Sequence, residues 1–262
     1  LKRIAIVVTA VVVGLVAAVS AYAAANVNSY SATYSFKGAG KGTAAKPAPL
    51  SFTQNIKVKA TMAGNRTGIL HEIDTTLYGA KVDETGFPTC TAAKIVAASN
   101  DTACPKKALV AHGYIDATLG SPTNFATSVG QACDPSLDVW NAGQGKLAFF
   151  FVETASHQCL GGQLHTGQVA PYPATYKQVG KKLEVKIPIP NSVDYPLGKS
   201  GGLVGSLSAE KLMWTSQTMG SKHSIESVGC SGSKRTYSYT FNASLPGAAA
   251  QVSTTKGSAS CG

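Results

Sequence analysis

Strict two-residue alternation most constrains how this chain can fold. Phe52, Gln54, Ile56, Val58, Ala60 and Met62 fall on one face of an extended segment, and Thr53, Asn55, Lys57, Lys59 and Thr61 on the other. Only a β-strand puts alternate residues on opposite faces, so the segment reads as a half-buried strand. Leu183, Val185, Ile187 and Ile189 repeat the pattern against Lys182, Glu184 and Lys186, with Pro188 drawing that segment to a sheet edge. Tyr237, Tyr239 and Phe241 repeat it opposite Ser238 and Thr240. Tyr30 to Phe36, Gly68 to Leu77, Ala108 to Leu119, Lys146 to Glu153 and Ser208 to Thr215 are further strands. Gly and Pro punctuate them as sheet turns require. The one helix signal is Thr91 to Ala98, with Thr91 as its cap and Ile95 facing inward. The predicted fold is all-β: an antiparallel, jelly-roll-like β-sandwich with one short helix.

The domain plan follows from the two ends. Lys2 and Arg3 precede an apolar run from Ile4 to Val19, and Ala21-Tyr22-Ala23 and Ala23-Ala24-Ala25 supply small-residue cleavage sites. Residues 1–25 therefore read as a signal peptide. No second long apolar stretch follows, so no membrane association is expected after cleavage, and the localisation is secreted or extracytoplasmic. Residues 26–245 read as a single β-sandwich domain, and residues 246–262 as a small-residue tail tethered by Cys261.

Export sets the chemistry of the six cysteines, Cys90, Cys104, Cys133, Cys159, Cys230 and Cys261. In an oxidising compartment they are disulfide partners. Six cysteines allow 15 pairings, and neighbour-to-neighbour pairing along the chain is preferred: 90 with 104, 133 with 159, 230 with 261. The chain contains no C-x2-C with which to begin a zinc site. His157, Cys159 and His165 would make a metal site only if Cys159 were reduced, so no metal and no cofactor is expected.

Phe87, Pro88 and Cys90, then Cys104, Pro105, Val110 and Gly113, form an FPxC…CPxxxxVxxG pattern. It resembles a group of uncharacterised exported β-rich proteins of actinobacterial type. The resemblance covers roughly residues 48 to 118. Where that group commonly reads V-G-x-G, this chain has Val110-Ala111-His112-Gly113. What it implies is secretion and a β-sandwich, and it carries no catalytic residue across.

Without Lys2 and Arg3 the chain keeps 21 basic against 13 acidic residues, a net charge of +8. Such a surface suits anionic cell-wall or surface polymers. The basic residues are spread singly or in pairs, without the basic stripe and stacking aromatics of nucleic-acid binders, so nucleic acid is not an expected partner.

Catalytic motifs are incomplete. Gly198-Lys199-Ser200-Gly201-Gly202 matches G-x-S-x-G, but the sequence after it is too glycine-rich for the helix that a nucleophile elbow needs. The same GKS lacks the phosphate-loop glycine, since position 193 is Val193. His71-Glu72-Ile73-Asp74 begins like a zinc-protease helix, yet position 75 is Thr75; His71 instead reads as a hydrogen-bonded histidine near the core. Asp134, Asp138, Glu153, Asp194 and Glu210 are the carboxylates a glycosidase would pair. Trp140 and Trp214 offer a ligand-stacking platform against the alternative of core packing. The expected function is thus a secreted or cell-envelope-associated binding or structural protein without catalytic residues. The alternative is an extracellular hydrolase with a dispersed active site.

Overall fold

The computed structural model describes residues 27–37, 40–163 and 169–261. The segment read as a signal peptide, residues 1–25, lies wholly outside them. Strands β1 (Asn28–Lys37), β2 (Ala48–Pro49), β3 (Ser51–Ala60), β4 (Ile69–Tyr78) and β5 (Ala80–Val82) precede helix α1 (Ala92–Ala98). Next come β6 (Leu109–Gly120), β7 (Gln131–Cys133), β8 (Ser136–Gly143), β9 (Lys146–Val152), β10 (Tyr172–Val179) and β11 (Lys182–Pro188). After α2 (Asn191–Asp194) the chain forms β12 (Val204–Trp214), β13 (Thr218–Met219), β14 (Lys222–His223), β15 (Ile225–Ser227), β16 (Lys234–Ser244) and β17 (Gln251–Ser260).

Twelve strands share one antiparallel sheet in the order β1-β3-β12-β6-β8-β9-β10-β11-β4-β16-β17, with β7 paired to β6. Its two ends come back together: β1 lies beside β17, where the Val27 N–H donates to Gln251 Oε1 at 2.7 Å. Tyr237, from β16, donates its hydroxyl to Ala32 O on β1 at 3.2 Å. The sheet is therefore curled into a near-barrel, with β4 and β12 packing across its interior as two layers of a sandwich do.

The alternation predicted for residues 52–62 builds the core as far as β3 runs: Ala60 ends the strand half-buried and Met62 lies beyond it, exposed, whereas Phe52, Gln54, Ile56 and Val58 point inward. They meet Tyr34, Leu70, Ile73, Leu77, Leu212, Tyr239 and Phe241 in one interior cluster. A smaller cluster lies on the outer face, where α1 covers Trp140, Ala148 and Phe150. Thr91 caps α1, its side chain accepting from Lys94 N–H, and Ile95 is buried as predicted.

All six cysteines are paired, Cys90 with Cys104, Cys133 with Cys159 and Cys230 with Cys261. The first bridge holds the α1 loop against the sheet, and the third fastens the end of β17 beside the start of β16. Three bridges are what an oxidising, extracytoplasmic environment favours. Among the described residues no helix is long and apolar enough to cross a membrane.

Three sequence expectations need correcting. The strand holding Pro188, β11, is not at a sheet edge: it pairs with β10 on one side and β4 on the other, and Pro188 lies past the last residue paired to β10, where its missing N–H costs no ladder bond on that side. A second helix exists, the four-residue α2. The segment expected as a tail forms β17, because its ten residues pair with β16 from Lys234↔Ser260 to Ala243↔Gln251. Small side chains there reflect close packing: a Cβ on Gly257 would lie 2.4 Å from the Tyr237 hydroxyl.

Candidate functional site

At one end of the near-barrel the inward side chains do not fill the interior. Leu70 and Ile73 of β4, Leu119 of β6, Phe151 of β9, Tyr172 of β10 and Leu207 of β12 enclose a cavity of about 90 Å³. The Cys133–Cys159 bridge and α2 close this end. Its walls are apolar except at a few groups, of which two are acidic: Asp194, the last residue of α2, and Glu210 on β12. Both are nine-tenths buried, with 5% and 6% of their surface exposed.

Leu207 and Glu210 are three residues apart, and in a regular strand they would face opposite ways. The β12–β6 register shifts between Leu207 and Ala209, and this bulge turns both toward the cavity.

A chain of hydrogen bonds fixes how Glu210 is presented. Trp214 can only donate, and its Nε1–H bonds Gln54 Oε1 at 3.1 Å. That orients the Gln54 amide, so Nε2 donates to Glu210 Oε1 at 2.7 Å. Oε1 is therefore the acceptor, and Oε2, which has no hydrogen-bond partner among the described residues, is the oxygen left for the cavity. Burial raises the Glu210 carboxyl to about 7, partly offset by the Gln54 bond. Burial also raises Asp194 to about 7. The group nearest its charge is His71, with Nδ1 at 3.6 Å from Oδ2, and burial pushes the His71 pKa down, which disfavours a balancing positive charge. Tyr172 faces both carboxyls, and its hydroxyl is raised by burial and then by their charges.

Beyond Gln54 the interior is tightly filled by Tyr34, Phe52, Leu77, Val110, Leu147 and Val185, around a void of about 40 Å³. Arg66 buttresses the cavity end. Its guanidinium donates to Val204 O, Ser206 Oγ, Ser121 O and Asn124 O and lies 4.6 Å from the Phe125 ring centroid.

The other sequence candidates lie elsewhere. Trp140 is buried on the outer face under α1 and Trp214 inside the near-barrel, so the two share no platform. His112 Nδ1 meets Asp138 Oδ1 at 2.5 Å on the outer face. Burial, and then Asp138, raise Asp101 to about 6. His157 stacks on Tyr114 at 5.0 Å and bonds Asp134 O at 3.1 Å, while Cys159 is consumed by its disulfide. His165 lies outside the described residues. No group of three or more metal-ligating side chains occurs among the described residues. Asp134 accepts the Ala117 N–H at 3.1 Å, and Glu153 does not line the cavity. His71 bonds Ser244 Oγ at 2.7 Å, as a core-edge histidine should. Ser200 sits exposed in a short 3-10 turn, Lys199–Gly201, preceded by α2 and followed by β12. That order, helix before and strand after, is the reverse of a nucleophile elbow.

Of the five carboxylates singled out from sequence, the fold brings Asp194 and Glu210 to one cavity. Sequence reasoning missed Gln54 and Arg66. Gln54 left a readable signal, since it is the one polar residue on an otherwise apolar strand face. The chain matches no protein-family model and no curated protein.

Proposed function

We propose that this chain acts outside the cytoplasm as a binding protein that takes a small ligand into the interior cavity. One observation carries the reading: two buried carboxyls line an apolar chamber to which, among the described residues, no Lys, Arg or His contributes. Ligand sites in β-barrels have this composition, apolar walls with a few convergent polar groups. The FPxC…CP resemblance to exported proteins supports the same setting, and the net positive charge suits retention by anionic wall polymers.

A hydrolase would draw on the same two carboxyls, because an acid held near 7 is matched to proton transfer at neutral pH. A glycan, however, needs a polar cleft along its length, and these walls are apolar. Binding is therefore the preferred role.

Hexanol is a suitable probe, as its apolar body and single hydroxyl suit this lining. Nuclear magnetic resonance titration of the disulfide-intact protein should give saturable shifts centred on Leu70, Leu119, Leu207 and Tyr172. Ala117→Leu, which fills the cavity, should abolish them. Shifts that never saturate, or that survive in the filled variant, would reject the reading. Labelling of Ser200 by a fluorophosphonate would instead establish the hydrolase, since an unactivated serine does not react.

A further inference from the structure

The cavity's charge balance narrows the class of its ligand. Among the described residues, no Lys, Arg or His lines it. Arg66, bonded to Ser206 on the rim, directs both terminal nitrogens of its guanidinium to three backbone carbonyls and that hydroxyl. The two buried acids have no cation inside the cavity, and Asp194 has only His71 Nδ1 at 3.6 Å, so the empty site meets burial by keeping carboxyl protons and not by pairing charges.

We propose that the cavity takes a small primary amine with an apolar body, its ammonium held by Glu210 Oε2, with Asp194 as the second acid of the chamber. This inference rests on the binding reading above. An ammonium carries three donors and no acceptor, which suits two carboxyl groups and an oxygen that the Trp214–Gln54 chain leaves unpartnered. Charge-assisted bonds of this kind are about twice as strong as neutral ones. A carboxylate ligand would add a third acid to the chamber. A hydrocarbon would leave Oε2 dry and unpaired. The cavity volume of about 90 Å³ equals about three waters at about 30 Å³ each, room for the ammonium and the first few carbons of such an amine.

Proton balance follows from the raised carboxyls. The amine enters as R–NH3+, a carboxyl that was protonated gives its proton to solvent, and the resulting carboxylate pairs with the ammonium. Near neutral pH, binding releases up to one proton for each acid converted. The other titratable groups facing Glu210 are Tyr34 on β1, Tyr172 on β10 and Tyr239 on β16; His71 on β4 faces Asp194. The three tyrosines are all raised and stay neutral throughout. His71, lowered by burial, gains its proton only in acid. Amine affinity should therefore rise between pH 5 and pH 8.

Calorimetric titration of the disulfide-intact chain with hexylammonium, hexanol and hexanoate tests this. At pH 7.5 hexylammonium should bind at least about tenfold tighter than hexanol, and hexanoate more weakly than either. Binding should release protons, visible as a dependence of the heat on buffer ionisation enthalpy. Glu210→Gln should lose about tenfold or more in hexylammonium affinity while hexanol affinity stays within about threefold. Asp194→Asn gives the same test should the first variant fail to fold. Hexanol or hexanoate binding as tightly as hexylammonium would overturn the amine assignment and leave the binding reading standing. No saturable heat with any of the three would overturn the binding reading itself.

Discussion

Gln54 on β3 and Glu210 on β12 meet inside the near-barrel at 2.7 Å, Nε2 to Oε1, and Trp214 decides which way round they meet. The indole of Trp214 stacks at 5.8 Å on Phe52 and donates to Gln54. A packing residue thus sets the orientation of an amide, and the amide sets which carboxyl oxygen faces the cavity. Gln54→Leu strips both neighbours of a partner. It should cost about 2–4 kcal/mol, and Trp214→Phe about 1–3 kcal/mol, because each leaves buried polar groups unpaired. Urea unfolding at pH 7 measures both. Carbon-13 carboxyl titration should show Glu210 rising further in Gln54→Leu, since the Gln54 bond is what holds it down.

Stability should depend on pH through the same residue. Glu210 titrates at about 7 in the fold against an ordinary 4.5, so between those values the native state keeps a proton that the unfolded chain gives up. The contribution is fully present below about 4.5 and is lost as pH rises to about 7, with Asp194 acting in the same direction. For Glu210 that gap corresponds to about 3 kcal/mol. Glu210→Gln removes the titration. The variant should gain on the wild type by up to about 3 kcal/mol at pH 8 and lose that advantage at pH 4, as read from urea midpoints. An equal difference at both pH values would show that folding leaves the Glu210 carboxyl at its ordinary value.

Elements set by local pattern were legible in the sequence. Alternation identified Phe52 to Val58 as a strand with the correct inward face, and Thr91 and Ile95 located α1 and its buried side. Neighbour pairing gave all three disulfides. The last strand was hidden because Gln251 to Ser260 has few large side chains; its place is specified by β16 and by the fit of Gly257 beneath Tyr237. Likewise the placing of Asp194 and Glu210 on one cavity depends on α2 folding over the near-barrel's end and on a bulge in β12. Neither leaves a periodic trace along the chain. Gln54 did leave one, but its partner stands 156 positions away.

Gly79 is fixed by a buried cation. Arg235 is fully buried and donates to Gly79 O at 2.6 Å and Gly229 O at 3.0 Å, with Ser227 Oγ as a further acceptor. Gly79 adopts φ +74°, and a Cβ there would stand 1.9 Å from Gly229 O and 2.6 Å from the Arg235 guanidinium. Gly79→Ala should therefore destabilise by more than about 3 kcal/mol, combining left-handed backbone strain with displacement of a charge from its acceptors. Gly64, at φ +77° with open space around it, is the control. Gly64→Ala should cost only the backbone term, about 1–2 kcal/mol. Thermal unfolding of the two variants side by side separates strain from the steric clash, and equal losses would show that the Arg235 cluster yields freely.

The Cys133–Cys159 bridge is both a staple and a wall. Cys133 belongs to β7, at the rim of β6, and Cys159 begins the turn Leu160–Gly162; both line the cavity. Replacing the pair by serine removes a cross-link over 26 residues and should cost about 2–5 kcal/mol. It should also loosen the cavity end, because Leu119, Leu160 and Leu203 pack around the bridge. Cys90→Ser/Cys104→Ser removes a cross-link over 14 residues on the outer face, away from the chamber. Both double variants should melt earlier than the wild type, but only the 133/159 pair should weaken hexanol binding at a temperature where each is folded. Calorimetry for unfolding and resonance titration for binding read the two effects separately. Equal weakening by both pairs would mean that binding follows global stability and that the bridge has no particular part in shaping the chamber.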